Sequence, residues 1–110
     1  MIKVSVLYPA AEGARFDMDY YVDRHVAMIA ERLGDALLDV EIDQGVAGAA
    51  PGSPPPFVAA VHMYFESMES FQTAFAPHAR VIQKDVAEYT DIRPQTQIAA
   101  VVRAREKRGG

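Results

Sequence analysis

Within FDMDYYVDRHVAMI, residues 16–29, a pair of phenols is followed by an imidazole: Tyr20, Tyr21 and, four positions after Tyr21, His25. An imidazole takes up or returns a proton near neutral pH, and a phenol can donate to an oxyanion or orient a ring beside it. On a helix, residues i and i+4 stack on one face, so Tyr21 and His25 would act from the same side. That makes them the candidate catalytic residues. The same spacing also suits plain structure, with the His25 ring bonded to a nearby carbonyl and Tyr21 packed over the helix start. On spacing alone both readings stay open.

Other groups that could meet a ligand are more scattered. His62 and Tyr64 share one face of FVAAVHMYF, where they could contact a ligand or belong to a core or subunit face. Tyr89 and Asp91 in EYTDI could fold over a pocket mouth, or form a polar turn. His78 follows Pro77 at a helix start, a position that favours solvent. The histidines at 25, 62 and 78 have no ligand-pair spacing, and Asp17, Asp19 and Asp23 read as a solvated or capping set, so no metal is expected. GVAGAAPG lies between strands rather than before a helix, which removes it as a phosphate loop. Ser5, Ser53, Ser67 and Ser70 carry no nucleophile motif, and no cofactor is expected.

A helix must present the Tyr21–His25 pair, and the pattern supplies one. Asp17 can cap it, Phe16 and Tyr21 have the spacing of a hydrophobic staple, and Gly34 suits the left-handed position just past its end near Leu33. Val22, Val26, Ile29 and Leu33 form one stripe at helical spacing; Met18, Tyr21, His25 and Met28 form a second beside it. Strands are predicted over 2–8, 38–48, 57–65 and 95–102, with AAPGSPPP as the clearest loop. Ser67 caps a second helix bearing Phe71 and Phe75, which Pro77 divides before HARVIQKDVAEY.

The order β-α-β-β-α-β predicts an α+β, ferredoxin-like plan: an antiparallel sheet with both helices on one face. The third strand looks apolar on both sides, so something should cover the second face. A second copy of the chain is the economical cover, giving a homodimer built as an α+β barrel. Half of the 110 residues are apolar and 24% are charged, the composition of one globular domain, placed at 1–104 with a frayed basic tail at 105–110. The net charge of -4 argues against nucleic acid and anionic membrane partners. The chain has no cysteine, no leader-like start and no apolar run of membrane length, so a cytoplasmic protein is expected.

MIKVSVLYP, FDMDYYVDRH, GVAGAAPGSPPPFVAAVHMYFES and FQTAFAPHARVIQKDVAEYTDI together resemble the EthD family, associated with ethyl tert-butyl ether degradation, in the dimeric α/β-barrel superfamily. The similarity runs from Met1 to about Val102. It departs at Ala27, where the family usually has proline two residues after the motif histidine. The resemblance implies a pocket between helices and sheet that takes a small hydrophobic ligand, and it raises the weight of His25 as acid or base. Relatives of this fold include isomerases, cyclases, decarboxylases and cofactor-free monooxygenases. The expectation is therefore a small lyase, isomerase or oxygenase, or else a non-catalytic accessory that binds a hydrophobic metabolite or a partner oxidase. The proline-rich loop is expected to be mobile or to contact a partner, without supplying a catalytic residue.

Overall fold

The computed structural model describes residues 1–103; the basic tail expected at 105–110 lies outside the described residues. Strands β1 (Ile2–Pro9), β2 (Asp39–Gln44), β3 (Phe57–Phe65) and β4 (Gln95–Ala100) form one antiparallel sheet in the spatial order β2-β3-β1-β4. Helical segments join β1 to β2 and β3 to β4, which completes the ferredoxin-like α+β plan. No helix among the described residues is long and apolar enough to cross a membrane.

Register decides what each sheet face carries, because opposed residues on paired strands share a face. Ile2, Val4, Val6 and Tyr8 stand opposite Phe65, Met63, Val61 and Ala59. This face meets Ile29 and Leu33 of the first helix and Ile82 of the second to form the core. The other face corrects the sequence expectation. Read alone, β3 suggests an apolar surface there, but its neighbours bring Lys3, Ser5, Asp39, Glu41, Asp43, Gln95 and Gln97 to that side. One polar row, Glu41, His62, Ser5 and Gln97, crosses all four strands.

The first helix spans residues 18–33 and begins as expected, with the Asp17 carboxylate accepting from the Tyr20 amide at 3.1 Å. Its middle is not α-helical. Tyr21–Val26 form a π-helix, between α-helical turns Met18–Tyr20 and Ala27–Leu33. The wider i→i+5 turn rotates the side chains away from α spacing. It breaks the predicted Val22–Val26–Ile29–Leu33 stripe: Val22 is 40% exposed, while Tyr21, His25 and Val26 are buried. Gly34 ends the helix at φ 58, where a side chain would be strained.

The second helix runs over residues 68–88, capped by Ser67, whose Oγ accepts from the Ser70 amide at 3.0 Å. Pro77 sits in a 3-10 turn, Ala76–His78, between Met68–Phe75 and Ala79–Asp85. β2 stops earlier than the predicted 38–48. A Cβ on Gly45 would collide with the Phe57 carbonyl oxygen, so only glycine lets the chain close in there and turn into the loop.

Candidate functional site

A cavity of about 260 Å³ lies between the helices and the sheet. Val4, Tyr8, Tyr21, His25, Ile29, Val61 and Met63 are its most buried walls, and Phe71, Phe75, Ile82 and Val86 come from the second helix. Tyr21 and His25 both belong to the π segment and both line the cavity; their rings stack at 5.7 Å, 16° from parallel. π segments are frequent at functional sites.

His25 is 3% exposed, and its Nδ1 lies 2.9 Å from Oδ2 of Asp85. The Tyr20 hydroxyl donates to the other oxygen of the same carboxylate at 2.8 Å. A carboxylate can only accept, so the Nδ1 proton points at Asp85 and leaves the lone pair on Nε2. Nε2 has no hydrogen-bond partner among the described residues. Burial pulls the His25 pKa below its ordinary 6.5, and the hydrogen bond and charge of Asp85 oppose that only in part. The result is a neutral imidazole at physiological pH, fixed in one tautomer with a free basic nitrogen.

Around it stands a cluster of aromatic rings. Phe16 meets Tyr21 edge-on at 5.1 Å, the staple contact anticipated from their spacing. Tyr89 packs 4.6 Å from His25 and 4.9 Å from Tyr21, and its hydroxyl bonds that of Tyr8 at 2.5 Å. The Tyr21 hydroxyl differs from its neighbours. It is fully buried, near the Tyr8 hydroxyl but without hydrogen-bond geometry to any partner among the described residues. Burial, reinforced by Tyr8, raises its pKa far above the usual 10, so it stays protonated and can donate. A buried, unpaired hydroxyl costs on the order of 1–3 kcal/mol. Tyr21→Phe is therefore expected to be as stable as the parent protein or up to about 2 kcal/mol more stable, measured by urea unfolding.

Of the other candidates, Tyr89 joins the site as a wall behind His25 and Tyr21. His62 and Tyr64 do not; strand alternation puts them on the far face of the sheet. There the His62 Nδ1 is 2.7 Å from Ser5 Oγ and its Nε2 3.0 Å from Asp43, while the Tyr64 hydroxyl donates to Glu41 at 3.2 Å. His78 stands beside Arg32 at 3.5 Å, outside the cavity lining, and Asp91 accepts from the Arg15 amide at 3.0 Å. The proline-rich loop borders a shallow cleft on the far side, with Ala47, Pro55 and Pro56 near His62.

Sequence reasoning missed Asp85 and Tyr8. A signal for Asp85 exists: with Ile82, Val86 and Tyr89 it makes an i, i+3, i+4, i+7 series, placing an acid on the inward face of an amphipathic helix. Tyr8 ends an apolar alternation as its one hydroxyl-bearing member.

The EthD domain matches residues 13–93. An EthD-like protein from Ralstonia eutropha JMP134 is 48% identical, with a TM-score of 0.91 over 97% of this chain and 96% of that one. An ethyl tert-butyl ether degradation (EthD) family protein from Bacillus halodurans C-125 shares the fold at 22% identity and TM-score 0.68, over 91% of this chain and 97% of that one. A dimeric ferredoxin-like protein of unknown function from Thermobifida fusca YX shares it at 16% identity and TM-score 0.54, over 90% and 89%. No curated protein matches the chain. With the domain match spanning most of its length, the chain belongs to the EthD family.

Proposed function

We propose that the protein is an enzyme that moves a proton on a carbon next to the carbonyl of a small hydrophobic metabolite. The observation that carries this reading is the free Nε2 of a buried, Asp85-bound His25 beside the unpaired Tyr21 hydroxyl in a mainly apolar cavity. Nε2 removes the proton, the Tyr21 hydroxyl stabilises the oxyanion of the enolate, and Asp85 stabilises the imidazolium that forms. Returning the proton to another carbon isomerises the substrate; expelling a group makes the enzyme a lyase. A non-catalytic carrier of hydrophobic metabolites is the second reading, and the mainly apolar lining favours it. The polar end does not, since a carrier gains nothing from an oriented base.

The test needs no knowledge of the natural substrate. Cyclic ketones such as 1-tetralone, incubated in deuterated buffer with the protein, should lose their α-proton NMR signal faster than in buffer alone. If the ketones bind and exchange no faster, the carrier reading replaces the enzyme.

The depressed pKa of His25 sets the pH dependence. The exchange rate should fall on acidification along a limb centred below 6.5, as His25 acquires its second proton. Stability moves the same way: below 6.5 the unfolded chain binds that proton more readily than the folded one, so stability drops as pH falls. Urea midpoints between pH 8 and pH 5 would show it, and His25→Ala should flatten that part of the curve.

We also infer a homodimer through the helix-free sheet faces. The polar row from Glu41 to Gln97, flanked by Leu7, Ala60 and Tyr64, supports a mixed interface of hydrogen bonds and apolar contacts. Sedimentation equilibrium at micromolar concentration should return the mass of two chains; one chain's mass would remove this inference.

A further inference from the structure

The cavity lining contains no Lys, Arg, Asp or Glu. A ligand charge carried inside would meet no counter-ion, and an unpaired buried charge is strongly disfavoured. The ligand is therefore neutral along its buried length.

Two lining residues are exposed and mark the mouth: Gln83 on the second helix and Thr96 on β4. Thr96 stands opposite Val6, on the helix-facing side, yet the helices leave that end of the sheet uncovered, and Ile98 two residues on is 42% exposed. Neither the Gln83 carboxamide nor the Thr96 hydroxyl has a hydrogen-bond partner among the described residues. Every other rim and wall position apart from Tyr8, Tyr21 and His25 is apolar. The polar groups thus fall into a buried set, Tyr8, Tyr21 and His25, and an exposed set at the mouth, Gln83 and Thr96, in a lining that is otherwise hydrocarbon.

We propose that this cavity selects an uncharged molecule with two oxygen functions. A carbonyl occupies the buried end at Tyr21 and His25, and a second hydroxyl or carbonyl group bonds Gln83 and Thr96 at the mouth. This rests on reading the buried end as the site of proton transfer, and makes Gln83 and Thr96 specificity-determining residues.

The experiment compares 1-tetralone, its 5-, 6- and 7-hydroxy isomers and a ring-carboxylated analogue. Dissociation constants are measured by calorimetry on the parent protein, Gln83→Leu, Thr96→Val and the double variant. At least one hydroxy isomer is expected to bind roughly tenfold more tightly than 1-tetralone, as one added hydrogen bond allows. That advantage over 1-tetralone should vanish in the double variant, and the carboxylate should bind more weakly than 1-tetralone. Equal binding by all hydroxy isomers, an advantage that survives the double substitution, tighter binding of the carboxylate or no binding by the set overturns the proposal. Isotope exchange on the same ketones separates the two ideas. Exchange without a hydroxyl advantage rejects the mouth assignment alone, whereas a lost advantage in the double variant without exchange supports it and rejects the proton-transfer reading.

Discussion

Substituting His25 by alanine should slow α-proton exchange by roughly 10²- to 10⁴-fold, the usual contribution of a positioned general base. The reason is geometric: the remaining cavity wall offers phenols, the Thr96 hydroxyl, the Gln83 carboxamide and hydrocarbon, none of which accepts a proton at neutral pH. The fold should survive. Asp85 keeps its bond from the Tyr20 hydroxyl and is partly solvated, so losing the imidazole should cost on the order of 1–3 kcal/mol. Asp85→Asn tests the same dyad from the other side. A carboxamide can donate to Nδ1, which moves the imidazole proton to Nε2 and removes the base without removing the ring. Exchange should fall roughly tenfold or more, and the acidic limb should shift to lower pH because the charge that favoured the imidazolium is gone. Rates within a factor of two of the parent in both variants would mean that His25 is structural.

The largest effect on stability should come from Tyr89. It is fully buried and packs against Tyr8, Phe16, Tyr20, Tyr21 and His25. Tyr89→Ala removes a ring that three elements share, and truncation of a buried aromatic costs about 3–5 kcal/mol. For a domain whose total stability is of order 5–15 kcal/mol, that is a large fraction. Tyr89→Phe keeps the packing but leaves the Tyr8 hydroxyl without its partner, for a loss of about 1–3 kcal/mol. Urea unfolding of the two variants separates packing from hydrogen bonding. A loss below 1 kcal/mol in Tyr89→Ala would mean that the cluster does not hold the site together.

The contrast between Tyr89 and His62 shows how much of this the sequence carried. Element order was legible because period-2 and period-3.6 patterns rarely overlap, and the caps at Asp17, Ser67 and Gly34 act locally. The inward placement of Tyr21 was legible too, since Phe16 precedes it at staple spacing. The π segment was not: FDMDYYVDRHVAMI has acceptable α spacing, and only packing against the sheet selects the wider turn that exposes Val22. The side taken by His62 was hidden for a similar reason. A strand whose two faces are both mostly apolar does not say which one meets the helices; the register with Ser5 decides it. Asp85 sat in plain view on an amphipathic stripe, but its partner is 60 residues away, and local spacing cannot pair them.

The most direct measurement is chemical rescue of His25→Ala. That substitution leaves a hole of imidazole shape beside Asp85, so added imidazole can occupy it and act as base in the same geometry. We expect imidazole to restore ketone exchange in the variant in a saturable manner, to a rate well above that of imidazole free in buffer. The parent protein should show no such gain. A variant that loses nothing, or one whose exchange rises with imidazole only as buffer alone does, would contradict the assignment of His25 as the base.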